Sequence, residues 1–207
     1  MESRKRALKC VFVGDSGTGK TTLVNLCLSN EFTVNHIPTL GVEVHPIDVS
    51  TEKHGDFRFD AWDTAGLEKF GGLRDGYYLA ADCAVVFCDL TRRETIPSIE
   101  RWYRDFTRTV HPDKRVPVVI CGSHSDVLSD AKKNKEAREL LPKQIVTKSD
   151  NVIPFVALSS KTGHNVEKLF ETILKELLRD ATVKVKPFLR PIITNVERLD
   201  EAPGFHR

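Results

Sequence analysis

Short, almost entirely apolar blocks alternate with longer amphipathic segments along this chain. The apolar blocks are Ala7–Val13, Ala84–Asp89, Val116–Cys121 and Ile153–Leu158. Continuous apolarity over so few residues is typical of strands that are buried on both faces of a parallel sheet. The amphipathic segments carry apolar residues three and four positions apart, as helices do. They are Thr21–Leu28, Ser98–Val110 and Val166–Leu178. The alternation of strands and helices predicts a doubly wound α/β domain.

Two further segments alternate apolar and polar residues instead of running continuously apolar. They are Gly41–Val49 and Phe57–Trp62, and the polar stretch at 50–56 between them is typical of a hairpin turn. We therefore expect one antiparallel edge strand on an otherwise parallel sheet of about six strands, with about five helices.

The strand and helix pattern ends near Arg179. We predict one domain over residues 1–179, in which a polar, lysine-rich stretch carries a surface helix around Ala131–Leu141. Prolines at 187 and 191 would break any helix that continued further. Residues 180–207 are therefore predicted to form a tail outside the core, with a short helix near Thr194–Leu199.

The composition narrows the class of protein. The 207 residues are 40% hydrophobic and 29% charged, with a net charge of +2, so the chain can bury a core and is too weakly basic for sequence-blind binding of nucleic acid. No apolar stretch approaches the ~18–20 residues needed to span a bilayer, and the first residues lack the apolar region of a signal peptide. The five cysteines have no metal-type spacing, and we expect them to be reduced in an intracellular protein.

A glycine-rich segment follows the first predicted strand and opens the first predicted helix. The run Gly14–Thr21 matches G-x-x-x-x-G-K-[ST], the phosphate-binding loop or P-loop. Its backbone N–H groups and the helix N-terminus can hold phosphate oxygens. Lys20 can reach the β- and γ-phosphates, and the Thr21 hydroxyl can ligate Mg²⁺. The candidate nucleotide-binding residues here are Asp15, Ser16, Gly17, Thr18, Gly19, Lys20, Thr21 and Thr22.

Three other positions complete a candidate phosphate and metal site. Asp63 ends the predicted strand Phe57–Trp62, and a carboxylate there can hold Mg²⁺ beside the P-loop. The N–H of Gly66 can then sense a γ-phosphate, and Thr39 can supply a second hydroxyl to the metal. The alternatives are an ordinary turn at 63–66 and a solvated loop threonine.

The predicted strands end at one edge of the sheet, where open α/β sheets bind ligands. Asp126 follows the third apolar block and could accept hydrogen bonds from N1–H and the 2-amino group of guanine, a contact worth roughly 10⁴–10⁵ in discrimination against adenine. The alternative is that Asp126 caps the helix that follows. The other candidate base-binding residues are Ser123, His124, Ser159, Ser160 and Lys161.

Several runs together resemble one family. Gly14–Thr22, Thr39–Pro46, Trp62–Gly66 and Glu68–Tyr78 are similar to the Ran branch of the small, Ras-like GTPases, and the resemblance covers roughly residues 7–179. It implies a P-loop NTPase G domain that binds GTP or GDP with Mg²⁺ and hydrolyses GTP. It also implies a monomer in the nucleus and cytoplasm that meets importin-β-class transport receptors, an exchange factor, a GTPase activator and proteins with Ran-binding domains.

The chain departs from this branch at its chemistry. The family has Gln where Leu67 stands, and that Gln orients the attacking water. The resemblance therefore gives catalytic roles to Lys20, Thr39 and Gly66 and predicts slow hydrolysis from Leu67. Ser123 and His124 replace the Asn and Lys of the base-recognition motif, which predicts weaker nucleotide affinity with faster exchange. The acidic C-terminal run of the branch is absent, which puts the clamp on Ran-binding domains in doubt.

The loop after Gly66 suggests a partner surface. Lys69, Phe70 and Arg74 place an aromatic ring between two cations, and the resemblance assigns such a loop to an import factor for the GDP form. The alternative is that Phe70 packs within its own loop. Two other functions stay open: a GTP-gated binding module with negligible turnover, and a Rab-like trafficking GTPase. The latter usually carries a lipidated C-terminal Cys, whereas the last one here is Cys121, so we expect no membrane anchor.

Overall fold

The computed structural model describes residues 5–33, 38–66, 76–110, 116–129, 145–146, 152–190 and 192–194. The strands are β1 (Arg6–Gly14), β2 (Glu31–Phe32), β3 (Val42–Ser50), β4 (Asp56–Thr64), β5 (Cys83–Asp89), β6 (Val118–Ser123), β7 (Ile145–Val146), β8 (Val152–Ile153), β9 (Phe155–Ala157) and β10 (Ile193–Thr194). The α-helices are α1 (Lys20–Ser29), α2 (Ser98–Thr109) and α3 (Val166–Leu178), and single 3₁₀ turns lie at Arg93–Thr95 and Ser125–Ser129.

The central sheet has six strands in the order β3-β4-β1-β5-β6-β9. Within this sheet β4, β1, β5, β6 and β9 are parallel to their neighbours in that order. The edge strand β3 runs antiparallel to β4, with Val44 opposite Trp62. The predicted antiparallel edge strand and hairpin are therefore confirmed. The hairpin turn is fixed by Thr51, which accepts a hydrogen bond from the N–H of His54 and donates one to the carbonyl of Gly55.

Helices cover both faces of the sheet, as the doubly wound prediction requires. Every residue of β5 and β6 is buried, which explains why these strands are apolar up to their last residues, Asp89 and Ser123. On one face α1 and α3 pack on the sheet, where the rings of Phe59 and Phe170 lie 5.1 Å apart. On the other face α2 supplies Trp102 and Phe106 to a second core. The carboxyl ends of the parallel strands β1, β4, β5 and β6 thus meet at one edge of the sheet.

Prolines shift two of the predicted strands. The block Ile153–Leu158 was expected to be one strand, but β8 and β9 are separated by Pro154, which has no N–H for the sheet. The strand predicted to begin at Val116 begins after Pro117 for the same reason. The helices Lys20–Ser29, Ser98–Thr109 and Val166–Leu178 agree with the predicted helices to within one residue at each end.

The segment after Arg179 does not lie outside the core, so the predicted boundary is wrong for the described residues 180–190 and 192–194. Val183 is only 1% exposed within the core on the α3 face. The main chain joins the hairpin turn, because the N–H of Lys186 donates to the carbonyl of Ser50 and the N–H of Glu52 donates to that of Lys184. We call the described residues 180–190 and 192–194 the C-terminal strap.

Apolar side chains explain why the strap adheres to the domain. The partly buried residues that pack on the core are Val185, Phe188, Leu189 and Ile192. Phe188 meets Phe170 of α3 edge-on, with ring centroids 5.7 Å apart. At its end the strap pairs in parallel with β2 through Ile193 and Glu31. The prolines prevent a helix here, but they leave an extended chain that follows the surface.

Some predicted features lie outside the described residues. They are the surface helix at 131–141, residues 195–199 of the helix predicted near Thr194–Leu199, Leu67, and the loop residues Lys69, Phe70 and Arg74. Cys10, Cys83, Cys88 and Cys121 are buried, as their apolar surroundings predict. Within the described ranges, no helix has the length and apolarity that a membrane crossing requires.

Candidate nucleotide-binding site

The P-loop joins the end of β1 to the first turn of α1. Gly19 precedes the helix with φ of 86°, a left-handed conformation that favours glycine. Thr18 is fully buried, and its hydroxyl donates to the carbonyl of Asp15 at 2.8 Å, which closes the loop on itself. The loop therefore presents its backbone at the N-terminus of α1, where the helix dipole and free N–H groups attract anions.

Lys20 points back across this loop. Its side chain is buried, and Nζ donates to the carbonyls of Gly14 at 2.9 Å and Asp15 at 3.0 Å. Burial lowers the pKa of Lys20 to about 8, although the nearby carboxylates of Asp63 and Asp15 favour the charged form. A buried ammonium gains from an anionic partner, so this position suits a phosphate group.

The three predicted metal ligands converge. The hydroxyl of Thr21 donates to Asp63 Oδ2 at 2.5 Å, and the hydroxyls of Thr21 and Thr39 lie 2.8 Å apart. Asp63 is fully buried, and among the described residues its Oδ1 has no hydrogen-bond partner. Burial raises the pKa of Asp63, against the hydrogen bond from Thr21 and the charge of Lys20.

An unpartnered buried carboxylate oxygen is costly and calls for a cation or a donor. The donor set of one carboxylate and two hydroxyls is made of hard oxygen atoms, which Mg²⁺ prefers. The residues present therefore fit Mg²⁺, which would be held by Asp63, Thr21 and Thr39.

The end of β4 lies directly against the P-loop. A Cβ on Gly66 would lie 2.2 Å from the backbone N of Ser16, so only glycine fits at this position. One residue earlier, the N–H of Ala65 donates to the carbonyl of Gly41 at 2.8 Å, which ties this strand end to the loop that carries Thr39. The phosphate-sensing role of the Gly66 N–H stays a prediction.

The P-loop, Thr39 and the end of β4 border one cleft of about 270 Å³ that opens to solvent. The residues on its walls are Ser16, Gly17, Gly19, Lys20, Thr21, Thr22, Thr39, Thr64 and Gly66. The structure thus brings six of the eight predicted P-loop residues to one cleft with Thr39 and Gly66, whereas Asp15 and Thr18 are not on its walls.

The predicted base-binding residues gather beyond the cleft. The hydroxyl of Ser159, which is fully buried, donates to Asp126 Oδ1 at 2.7 Å and accepts the N–H of Thr162 at 3.2 Å. Asp126 is therefore oriented by a loop after β9 instead of only capping its own turn. Ser160 is also buried, whereas Lys161 is exposed. The contacts of these residues to a base stay predictions.

Ser123 and His124 pack against the P-loop itself. A Cβ on Gly19 would lie 3.5 Å from Ser123 Cβ and 3.9 Å from His124 Cε1. Ser123 donates its hydroxyl hydrogen to the carbonyl of Cys88 at 3.1 Å, and His124 Nδ1 lies 2.9 Å from the same hydroxyl. The base-binding loop and the phosphate-binding loop are thus in contact, although neither the Asn nor the Lys of the family motif is present.

Four residues near the P-loop were not anticipated from the sequence. Arg92 donates to the carbonyl of Ser16 at 2.9 Å and also pairs with Asp89. From α2, the indole N–H of Trp102 and the guanidinium of Arg101 donate to Asp15 Oδ1 at 2.8 and 3.0 Å. Asp89 could have been found, because it ends β5 at the ligand-binding edge of the sheet. The other three lie in amphipathic or polar stretches that give no local signal.

A P-loop at the carboxyl edge of a doubly wound sheet, with a strand-end carboxylate and a loop hydroxyl beside it, defines a nucleotide-binding domain of the P-loop class. The family model described as the Ras family matches residues 9–179. The chain therefore belongs to the Ras family of small GTP-binding proteins, which bind GTP and GDP with Mg²⁺ and hydrolyse GTP.

Proposed function

We propose that this chain is a Ran-like GTP/GDP switch that serves transport between nucleus and cytoplasm and hydrolyses GTP slowly. The observation that carries the proposal is the run Gly41-Val42-Glu43-Val44-His45-Pro46. It resembles the Ran branch much more specifically than the P-loop, which all branches share. Val42 begins the edge strand β3, so the run joins that strand to the loop of Thr39.

The chemistry follows from the groups around the cleft. The P-loop amides bind the phosphates, and Lys20 stabilises the negative charge that develops on the β- and γ-oxygens as the bond to the third phosphate breaks. Thr21, Thr39 and Asp63 would hold Mg²⁺, which supplies further positive charge at the same oxygens. Thr39 and Gly66 belong to the two loops that the third phosphate would order.

Slow hydrolysis follows from the residue after Gly66. Leu67 can neither donate nor accept a hydrogen bond, so it cannot orient an attacking water. A missing positioning group of this kind costs on the order of 10²–10⁴ in rate. Nucleotide binding does not need that group, so affinity for GTP is not expected to depend on it.

Single-turnover hydrolysis of GTP tests this point. We expect Leu67→Gln to raise the rate by about 10²-fold, because it restores a group that can orient water. Leu67→Met is the matched control, since it has a similar length without an amide and should leave the rate unchanged. Equal rates for the Gln variant and the unchanged chain would refute the role given to this position.

A GTP-gated binding module with negligible turnover is the second candidate, and Leu67 is the observation that favours it. The two candidates differ in multiple-turnover assays with and without an activator protein. The nucleotide that copurifies with the protein gives independent information. A bound triphosphate supports blocked hydrolysis, and a bound diphosphate means that turnover survives.

The proposed partners are those of the Ran branch: importin-β-class receptors, an exchange factor, a GTPase activator and Ran-binding-domain proteins. An import factor for the GDP form is proposed to meet Lys69, Phe70 and Arg74. Capture of a purified importin-β-class receptor by protein loaded with a non-hydrolysable GTP analogue, with GDP-loaded protein as control, tests the assignment. Equal capture by the two forms, or by neither, would exclude the Ran-like role while leaving GTP binding intact.

A further inference from the structure

Three ionisable side chains form a cluster between the base-binding loop and the P-loop. Asp89 ends β5, and its side chain is 6% exposed. One carboxylate oxygen of Asp89 lies 3.1 Å from His124 Nδ1, and the other accepts the Nε–H of Arg92 at 2.9 Å. We call Asp89, Arg92 and His124 the bridging cluster.

The bridging cluster contacts both loops. The ring of His124 packs beside Gly19, and Arg92 donates to the carbonyl of Ser16. Asp89 is itself held in place by the N–H and the hydroxyl of Thr91 at 2.8 and 2.7 Å. One fixed carboxylate therefore holds Arg92 against Ser16 and His124 beside Gly19, and His124 belongs to the loop that carries Asp126.

We propose that Asp89 and His124 position the base-binding loop against the P-loop, and that protonation of His124 strengthens this contact so that guanine nucleotide is held more tightly at lower pH. The inference rests on nucleotide binding at this site and does not depend on a role in nuclear transport. The contact of His124 with Asp89 takes the place of the contacts that the Asn and Lys of the family motif would otherwise make.

The direction of this pH dependence follows from the charges around the ring of His124. The hydrogen bond to Asp89 raises the pKa of His124 above its ordinary value, and burial and the cation of Arg92 oppose that rise. The carboxylate of Asp126 also faces the ring and favours the charged form. His124 carries its charge below its ordinary pKa and loses it as the pH rises through the raised value. The protein therefore retains nucleotide most strongly at low pH, and retention falls as the pH increases.

The size of the effect is limited because the His124 side chain is 44% exposed. The neutral imidazole can keep the Nδ1–H donated to Asp89, so only the charge is lost. A half-exposed pair of this kind corresponds to a change of about fivefold in the nucleotide dissociation rate.

The test is the dissociation rate of a fluorescent GDP analogue from the full chain with Mg²⁺, measured between about pH 5.5 and about pH 8.5. For the unchanged protein we expect the rate to increase about fivefold across this range. For His124→Lys, which keeps a cation at all these pH values, we expect a slow rate that changes little with pH. For Asp89→Asn we expect a fast rate throughout.

Controls separate this inference from other titrating groups. His54 pairs with Asp180 on the C-terminal strap, far along the chain from the cleft, so His54→Gln should keep the pH profile of the unchanged protein. A pH profile that persists in His124→Lys would overturn the inference, because another group would then carry the pH dependence.

Circular dichroism and nucleotide stoichiometry identify variants that fail to fold. If Asp89→Asn fails to fold, the comparison of His124→Lys with the unchanged protein decides alone. Loss of guanine-nucleotide binding by the unchanged protein would instead refute the proposed function.

Discussion

Trp102→Phe tests whether α2 holds the P-loop in place. Trp102 is 1% exposed, and its indole N–H donates to Asp15 Oδ1 at 2.8 Å. Phenylalanine keeps an aromatic ring in the second core but removes the donor and leaves unfilled volume. A hydrogen bond to a charged group is worth about 1.5–3 kcal/mol, and the cavity adds to that cost. We therefore expect a loss of about 2–4 kcal/mol in the free energy of unfolding.

This loss has two readouts. A chain of this length should show a fall of about 5–12 °C in Tm, measured at saturating GDP and Mg²⁺. The dissociation rate of GDP should also rise, because Asp15 lies in the loop whose carbonyls hold Lys20. Arg104→Ala is the matched control on the same helix, since its exposed pair with Glu100 is worth about 0.5 kcal/mol or less. A Trp102→Phe variant no less stable than Arg104→Ala would refute the reasoning.

Two further predictions concern the metal site and α3. Thr21→Ala removes the hydroxyl that donates to Asp63 and would ligate Mg²⁺. GDP should therefore dissociate from this variant in Mg²⁺ about as fast as in excess chelator. Burial opposes ionisation of Glu171, but hydrogen bonds from Lys175 and Lys168 lower its pKa to about 2. Its contribution to stability is therefore fully present above the ordinary pKa of a glutamate and is lost as the pH falls from there to about 2. Urea unfolding at neutral pH should show Glu171→Gln less stable by about 1–2 kcal/mol, a difference that shrinks in acid.

Each of these has a distinct contrary result. A Thr21→Ala protein that still releases GDP much more slowly in Mg²⁺ than in chelator would exclude Thr21 as a ligand. A stability difference for Glu171→Gln that is constant with pH would mean that the cations around it, which are themselves partly exposed, do not act through charge.

The sheet could be predicted because its signals are local. β5 and β6 are apolar up to their last residues, Asp89 and Ser123, because both faces are covered, and the β3–β4 hairpin alternates because only one of its faces is fully buried. The P-loop, Asp63 and Thr39 could be predicted because each sits at a junction that the strand and helix pattern defines. Their convergence on one cleft then follows from the parallel topology.

Contacts between distant parts of the chain could not be predicted. The partners Asp15 and Trp102 are 87 residues apart, and Ser16 and Arg92 are 76 apart, so no local pattern relates them. The packing of the C-terminal strap could not be predicted for a related reason. Its apolar residues have no helical or strand period, and the core that they cover is formed by residues far away in the sequence. In the same way, the pairing of β10 with β2 depends on where the strap ends in space.

The C-terminal strap also determines where this chain can be truncated without exposing its core. A truncation at Arg179 would remove Val183 from the core and uncover the flank of Phe170, leaving apolar surface in contact with water. It would also free the edge of the β3–β4 turn that now receives the main chain at Lys184 and Lys186. Exposed apolar surface beside an open strand edge favours self-association, so a fragment that ends there would aggregate even though its nucleotide site is complete.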